Sequence, residues 1–405
     1  MNEDESMFAS GDQDYDSAIG WDPVEHAQKN RYTHTAKLIE EDRKRHPRAY
    51  AKRPAILWAQ PMRWWVEVGA MGEPMERLFG PFWTQGELAI LFARTGVGKS
   101  ALATQIAENL ARGLRMAPFD TEGVIAAPQN VLYLDFELST TQLGPRYSVY
   151  DKTERIYKHT YQFSERLNRS ILCWNGTFAE GYEGFSDMFF EALSEAIEAT
   201  EAHTVVIDNV TFLDETATSN INTALSIMRS LNQIKHQFGT SILVLAHTRR
   251  RCRWNRLSSS DLQGSINLAN FADSIFGMET SRQSPELRYL KLFKIRSGEV
   301  EHSHDNVPVF SLSQFDAAAT HLVQNPNRPQ IANFLGMRFQ KFDREDKHIE
   351  LPPSQAVKIM RKPSSKREAM IERVKKMMAR GKSVGEVAEK LRLPRTTVFR
   401  YKNAA

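Results

Sequence analysis

Between Glu87 and about Ser313 the chain alternates short apolar runs with longer amphipathic stretches. The apolar runs are LAILFA (88–93), NVLYLDF (130–136), HTVVIDN (203–209), TSILVLAH (240–247) and YLKLFKIR (289–296). Continuous runs of this length, rich in Leu, Ile and Val, predict strands covered on both faces. Between them, SALATQIAENLARG (100–113) and FSDMFFEALSEAIEATEA (185–202) repeat apolar residues at helical spacing, and Gly113 and Gly239 supply helix stops or turns. SINLANFADSIF (265–276) reads as a further helix returning to the core. Strands alternating with helices predict an α/β domain with a mostly parallel sheet.

The flanks read differently. Residues 1–53 form an acidic, largely disordered segment by composition, with charged residues 23–50 partly helical. Trp58, Trp64, Trp65, Phe79, Phe82 and Trp83 cluster in 54–88. They read as an entry segment packing on the core, with adenine stacking as the alternative. The α/β domain is placed at 54–315, a Pro-containing polar linker at 316–365 and a small all-α domain at 366–405.

Charge sharpens this division. The net charge is only +4, yet residues 1–22 hold seven acids and no Lys or Arg, while 361–405 hold 14 Lys or Arg against four Glu. A basic end on a neutral body suggests nucleic acid as a partner. No run approaches about 18 consecutive apolar residues, so no transmembrane helix is expected. The N-terminus lacks the apolar segment of a secretory signal. Cys173 and Cys252 are isolated, making neither a disulfide framework nor a zinc site, and a reducing cytoplasm is the expected setting.

The strongest chemical signal is Ala93-Arg94-Thr95-Gly96-Val97-Gly98-Lys99-Ser100-Ala101, between a strand and a helix. It fits the Walker A pattern except that Ala93 stands where the first glycine is usual. Gly96 and Gly98 allow backbone N–H groups to turn inward around phosphates, and Lys99 adds a point charge. Ser100 offers a hydroxyl to Mg²⁺, and the following helix directs its N-terminus at the anion. Two strands end in an acid. Asp208 is assigned as the Mg²⁺-organising residue and Asp135 as a turn cap. Glu137 reads as the general base orienting water, or as an exposed loop acid. His247 closes the next strand at the ligand edge, either as a γ-phosphate sensor or as a structural histidine. Lys294 and Arg296 share a strand face. They are solvated edge charges in a monomer, or fingers reaching a neighbour's phosphate in a ring.

GVGKS, VLYLDFE, VVIDN, LVLAHTRR and FKIRSGE in this order resemble the RecA-like P-loop ATPases of the RepA-like helicase (AAA_25) type, common on plasmids and mobile elements. The resemblance spans about residues 75–315. It implies ATP and Mg²⁺ at Lys99, Ser100 and Asp208, and Glu137 as base. It also implies His247 as sensor, and Lys294 with Arg296 as fingers acting on the next subunit. It further implies a homo-oligomeric ring, usually a hexamer, with single-stranded DNA through its centre. The loop after the His247 strand lines that channel in such rings. Here it carries Arg249, Arg250, Arg251, Arg253 and Arg256 around Trp254, suited to phosphates and base stacking. A solvated basic loop is the alternative.

The tail, KREAMIERVKKMMARGKSVGEVAEKLRLPRTTVFRYK, gives three short helices. Met370, Ile371, Val374, Met377 and Met378 mark the first, and Gly381 ends it. Ser383 and Glu386 form a capping box for the second, and Leu393-Pro394 turns into the third. The pattern resembles the resolvase helix-turn-helix. That implies duplex DNA at the third helix, with Arg395, Thr396, Thr397 and Arg400 toward bases and Lys382 and Lys402 toward phosphates. A helical bundle packed on the ATPase is the alternative. The expected function is a DNA-associated Mg²⁺-dependent ATPase, used as a helicase or translocase or, alternatively, as an ATP-switched DNA-binding regulator or assembly factor.

Overall fold

The computed structural model describes Lys44 and residues 61–70, 75–119, 127–158, 160–173, 184–210, 221–249, 251–263, 266–316, 333–350 and 365–403. The expectations for residues 1–43 and for Trp58 lie outside these. The helices are α1 (Met62–Ala70), α2 (Lys99–Arg112), α3 (Thr140–Leu143), α4 (Phe185–Thr200), α5 (Ile221–Phe238), α6 (Ile266–Phe271), α7 (Ser365–Ala379), α8 (Val384–Leu391) and α9 (Arg395–Lys402). The strands are β1 (Leu88–Ala93), β2 (Val131–Asp135), β3 (Val149–Asp151), β4 (Ile156–Lys158), β5 (Leu167–Ser170), β6 (Thr204–Asp208), β7 (Ser241–His247), β8 (Ser274–Thr280), β9 (Leu287–Lys294), β10 (Val307–Asp316) and β11 (Asn333–Asp343). Among the described residues no helix is long and apolar enough to cross a membrane.

One nine-stranded sheet runs in the order β11-β10-β9-β8-β1-β7-β6-β2-β5. The six strands from β8 to β5 are parallel; β9, β10 and β11 add antiparallel pairs on one side. The all-apolar strands lie in the middle because helices cover both faces. On one face Leu88, Ile90, Phe92, Val205, Ile207, Ile242 and Val244 pack under Leu193 and Ile197 of α4 and Met228, Leu231 and Ile234 of α5. The alternate residues, Ala89, Leu91, Tyr133, Val206, Leu243 and Leu245, meet Ala103, Ile106 and Leu110 of α2. This is the period-two division of a strand between two buried faces. Each fully buried Leu or Ile there contributes roughly 1.5–3 kcal/mol. Phe79, Phe82 and Trp83 join the second face, as a packing role predicts, and the Trp83 indole donates to the Glu87 carbonyl at 3.1 Å.

Two sequence expectations are corrected. The helix expected over 265–276 ends at Phe271, and SIFGMET becomes β8. A short apolar run bounded by turns does not distinguish helix from strand by periodicity. Here the sheet decides: β8 fills the place between β1 and β9. A Cβ at Gly277 would lie 2.7 Å from Leu257 Cδ2 and 2.8 Å from Phe92 Cζ, so only glycine fits. The linker expected over 316–365 contains β11, which pairs with β10 along the whole of that strand. The Pro-containing polar runs on either side of it, NPNRPQ and LPPSQ, made the segment read as a linker, while Phe334 and Met337 are buried inward. The first compact unit therefore ends at Ile349 and the second begins at Glu350.

The second unit holds the three helices read from the tail. Ser383 and Glu386 form the expected capping box, with Ser383 N donating to Glu386 Oε2 at 2.7 Å and Glu386 N to Ser383 Oγ at 3.4 Å. Val374, Val387, Ala388 and Val398 make a small core of their own.

Candidate functional site

The register brings the carboxyl ends of the central strands to one edge. Ala93 lies beside His247, and Asp135 beside Asp208. Ala93 is buried and paired within β1, so nothing at that position requires a glycine. The turn to α2 uses Gly96 at φ 77° and Gly98 at φ 109°, in the left-handed region that favours glycine. Gly98 is the N-cap of α2 and brings no side-chain cap. The first N–H groups of the helix are left for an anion.

Lys99 is 6% exposed and donates to the Ala93 carbonyl at 3.2 Å. Its ammonium also lies 3.3 Å from His247 Nδ1. Burial lowers its pKa, opposed by the charges of Asp208 and Glu137. An ammonium can only donate, so Nδ1 accepts and the ring N–H is assigned to Nε2. That nitrogen is 3.5 Å from Glu137 Oε1. Asn209 Nδ2 donates to Glu137 Oε1 and lies 3.1 Å from His247 Nε2. His247, followed by Lys99 and Asn209, holds the Glu137 carboxyl below the usual carboxylate range against the opposing effect of its burial. Thr95 Oγ1 completes the edge, 3.5 Å from His247 Nδ1.

Asp135 has no free oxygen for a metal. Its Oδ1 accepts from the N–H groups of Glu137 and Leu138 at 3.2 and 2.9 Å, and Arg169 Nε donates to Oδ2 at 3.0 Å. It caps the turn that presents Glu137. Asp208 is different. Tyr133 OH donates to its Oδ2 at 3.0 Å, but Oδ1 is buried without a hydrogen bond. Burial pushes its carboxyl up to about 6, opposed by the neighbouring Ser100 hydroxyl and Tyr133. A buried carboxylate oxygen without a donor, next to a serine hydroxyl, fits Mg²⁺ held through its water shell.

The sign of this shift gives a test. A carboxyl near 3.9 when unfolded and about 6 when folded lends stability below about pH 4 that is lost as pH rises through about 6. At pH 7.5, Asp208→Asn should therefore raise the melting temperature of nucleotide-free protein by ~2–4 °C. It should also remove the added stabilisation by Mg²⁺ and ATP. A lower nucleotide-free melting temperature, or an unchanged Mg²⁺ effect, would reject the assignment.

Lys294 and Arg296 lie at the other edge. β9 runs antiparallel to β8, which places Lys294 beside Ile275, itself level with Ile90 at the lower part of β1. Lys294 is therefore about 10 Å of strand below Ala93, and Arg296 lies further down. Lys294 Nζ donates to the carbonyls of Ala269 and Asn270 at 2.9 and 3.3 Å. Arg296 pairs with Asp273 Oδ1 at 3.1 Å, and Asp273 also binds Lys235 at 2.7 Å. Neither cation reaches its own P-loop.

The basic loop leaves directly from His247 and is closed by a Thr248–Leu262 bridge. Its arginines divide. Arg249, Arg253 and Trp254 are exposed. Arg251, expected on the DNA face, has a side chain only 4% exposed that pairs with Asp261 at 3.0 Å and Glu279 at 3.2 Å. Glu279 also binds Arg94 of the P-loop at 2.5 Å. Arg256 makes two 2.8 Å bonds to Asp346. Arg251 therefore anchors the loop from within and is not a phosphate contact. Arg250 lies outside the described residues. In the second unit Arg395, Thr396, Arg400 and Lys402 are exposed on α9, while Thr397 and Lys382 are half-buried.

Sequence reading missed Asn209 and Tyr133. Asn209 stood in the quoted VVIDN run, next to the acid it follows, which was its only signal. Tyr133 is one apolar-looking position in a strand, and its hydroxyl partner is 75 residues away.

This fold and site define a P-loop ATPase domain built on a mostly parallel sheet. Residues 59–251 match the AAA domain family AAA_25, and residues 361–405 match the helix-turn-helix domain of resolvase. The pair defines a nucleotide-binding, DNA-associated protein. Among solved structures the chain is similar to a KaiC-like protein from Pyrococcus horikoshii OT3, at 16% identity and a TM-score of 0.38, covering 59% of this chain and 96% of that one. No curated protein matches.

Proposed function

We propose that this chain is an Mg²⁺-dependent ATPase that hydrolyses ATP between identical subunits of a ring on DNA. In this reading it is a helicase or translocase serving replication or mobilisation of a plasmid or mobile element. The observation that supports it is the separation of charges: phosphate-binding groups at one sheet edge, Lys294 and Arg296 at the other.

The P-loop amides and Lys99 bind the phosphates. Mg²⁺, when bound near Ser100 and Asp208, offsets charge on the phosphate oxygens. Glu137, held ionised by His247, Lys99 and Asn209, orients water at its carboxylate and takes its proton. His247 couples that carboxylate to Lys99, so a change at the γ-phosphate shifts both. Lys294 and Arg296 then serve the neighbouring subunit's phosphate, after Arg296 leaves Asp273.

Arg296→Ala should lower turnover about 10- to 100-fold with ATP binding intact, less than for a lone arginine finger because Lys294 remains. Mixing Arg296→Ala with Glu137→Gln protein should restore activity, because an interface between the two can contain Glu137 from one subunit and Arg296 from the other. Normal turnover by Arg296→Ala, with no gain on mixing, would support the second reading, an ATP-switched DNA-binding regulator. The internal bonding of both cations is the observation that favours that reading.

A further inference from the structure

We propose that Phe399 reads the C5-methyl of thymine in the major groove of a duplex, a specificity role additional to the polar residues of α9. This rests on the reading of the second unit as a duplex-docking module.

The helix is RTTVFRYK, with no acid among its eight residues. Val398 is fully buried in the unit's core, and Tyr401 packs against the same core. Phe399 does not join it and is 57% exposed, the most exposed aromatic side chain among the described residues. At helical spacing, Phe399 lies three residues from Thr396 and four from Arg395 and Asn403, with Arg400 beside it. It is thus an apolar ring at the centre of an exposed basic and polar face, opposite the face that builds the core.

A face without acids and with Arg395, Arg400 and Lys402 is complementary to a polyanion. Single exposed apolar side chains are common on protein surfaces. What distinguishes this one is its place on the helix that a helix-turn-helix presents to the groove. Among groups at the base edges of a B-form major groove, donors and acceptors are polar, and the thymine C5-methyl is the apolar group. A phenyl ring has no donor or lone pair to offer a phosphate or a base edge, so in that groove the methyl is the partner that suits it.

The test uses the full chain. Duplexes are selected from a random-sequence pool, and each thymine of the selected duplex is replaced singly by deoxyuridine. That change removes the methyl and keeps every hydrogen-bonding group. One or two positions per site should lose about three- to tenfold in affinity, the scale of one buried methyl contact. Phe399→Ala should lose a similar factor on the thymine duplex and nothing further at those uridine positions. Its melting temperature should match the parent's, since the ring lies outside the core. If Phe399→Ala keeps the parent's sensitivity to uridine, or the parent shows none at any position, the proposal is overturned and duplex docking stands. If the full chain selects no duplex, docking itself fails and the proposal with it.

Discussion

Lys99→Ala should lower ATP turnover by about 10³-fold or more, with the fold intact. The ammonium is buried in the P-loop and bonds the Ala93 carbonyl and His247 Nδ1, and in the proposed reading it also meets the incoming phosphates. Removing it also removes the positive charge that favours ionisation of Glu137. The loss should appear both in nucleotide affinity and in phosphate release, because the charge meets ATP before and during transfer. Near-normal phosphate release by the variant would exclude this loop as the hydrolytic site.

Glu137→Gln should separate the two effects. A glutamine keeps the size of the side chain and an acceptor oxygen for Asn209, but it cannot take a proton at neutral pH. ATP binding should stay within a few-fold of the parent, while turnover should fall about 10²–10⁴-fold, the usual range for a positioned general base. The pH profile adds a second check. Glu137 is held below the usual carboxylate range, so it is ionised throughout the working range. An acid limb near 6 in kcat/KM would belong to Asp208 instead. That limb should be absent from the residual activity of Asp208→Asn and present in that of Glu137→Gln. Wild-type turnover by Glu137→Gln would return Glu137 to the role of a loop acid.

The parts of this site legible in the sequence were those whose signal is local. LAILFA, TVVID and SILVLAH announce buried strands by continuous apolar character, and GVGKS places its glycines, lysine and serine within five residues. The tail was equally legible because Ser383 and Glu386 form their capping box across three residues. The remaining features depend on partners distant in the chain. Arg251 looks like any arginine of a basic loop until Asp261 and Glu279 take it inward. Arg256 is tied down by Asp346, 90 residues on. β11 was hidden between the Pro-containing runs NPNRPQ and LPPSQ, and its buried Phe334 and Met337 are too few to mark a strand. Lys294 and Arg296 were found as a pair, but only the antiparallel turn of β9 shows which edge they occupy.

The pairing of β10 and β11 decides where this chain can be cut without opening the phosphate loop. A Cβ at Gly98 would stand 2.9 Å from Leu312 Cδ2 and 3.2 Å from Met337 Cε, so these two residues form a wall behind the phosphate loop. Gln105 of α2 closes the same wall, donating to the Met337 carbonyl at 3.0 Å and accepting its N–H at 2.6 Å. A tail swapped in just after Ile349 would keep Leu312, Met337 and Gln105 behind the phosphate loop. A splice at residue 316, where composition changes most visibly, would carry Met337 away with the tail. The point after which one tail could be replaced by another is thus set by the back of the phosphate loop.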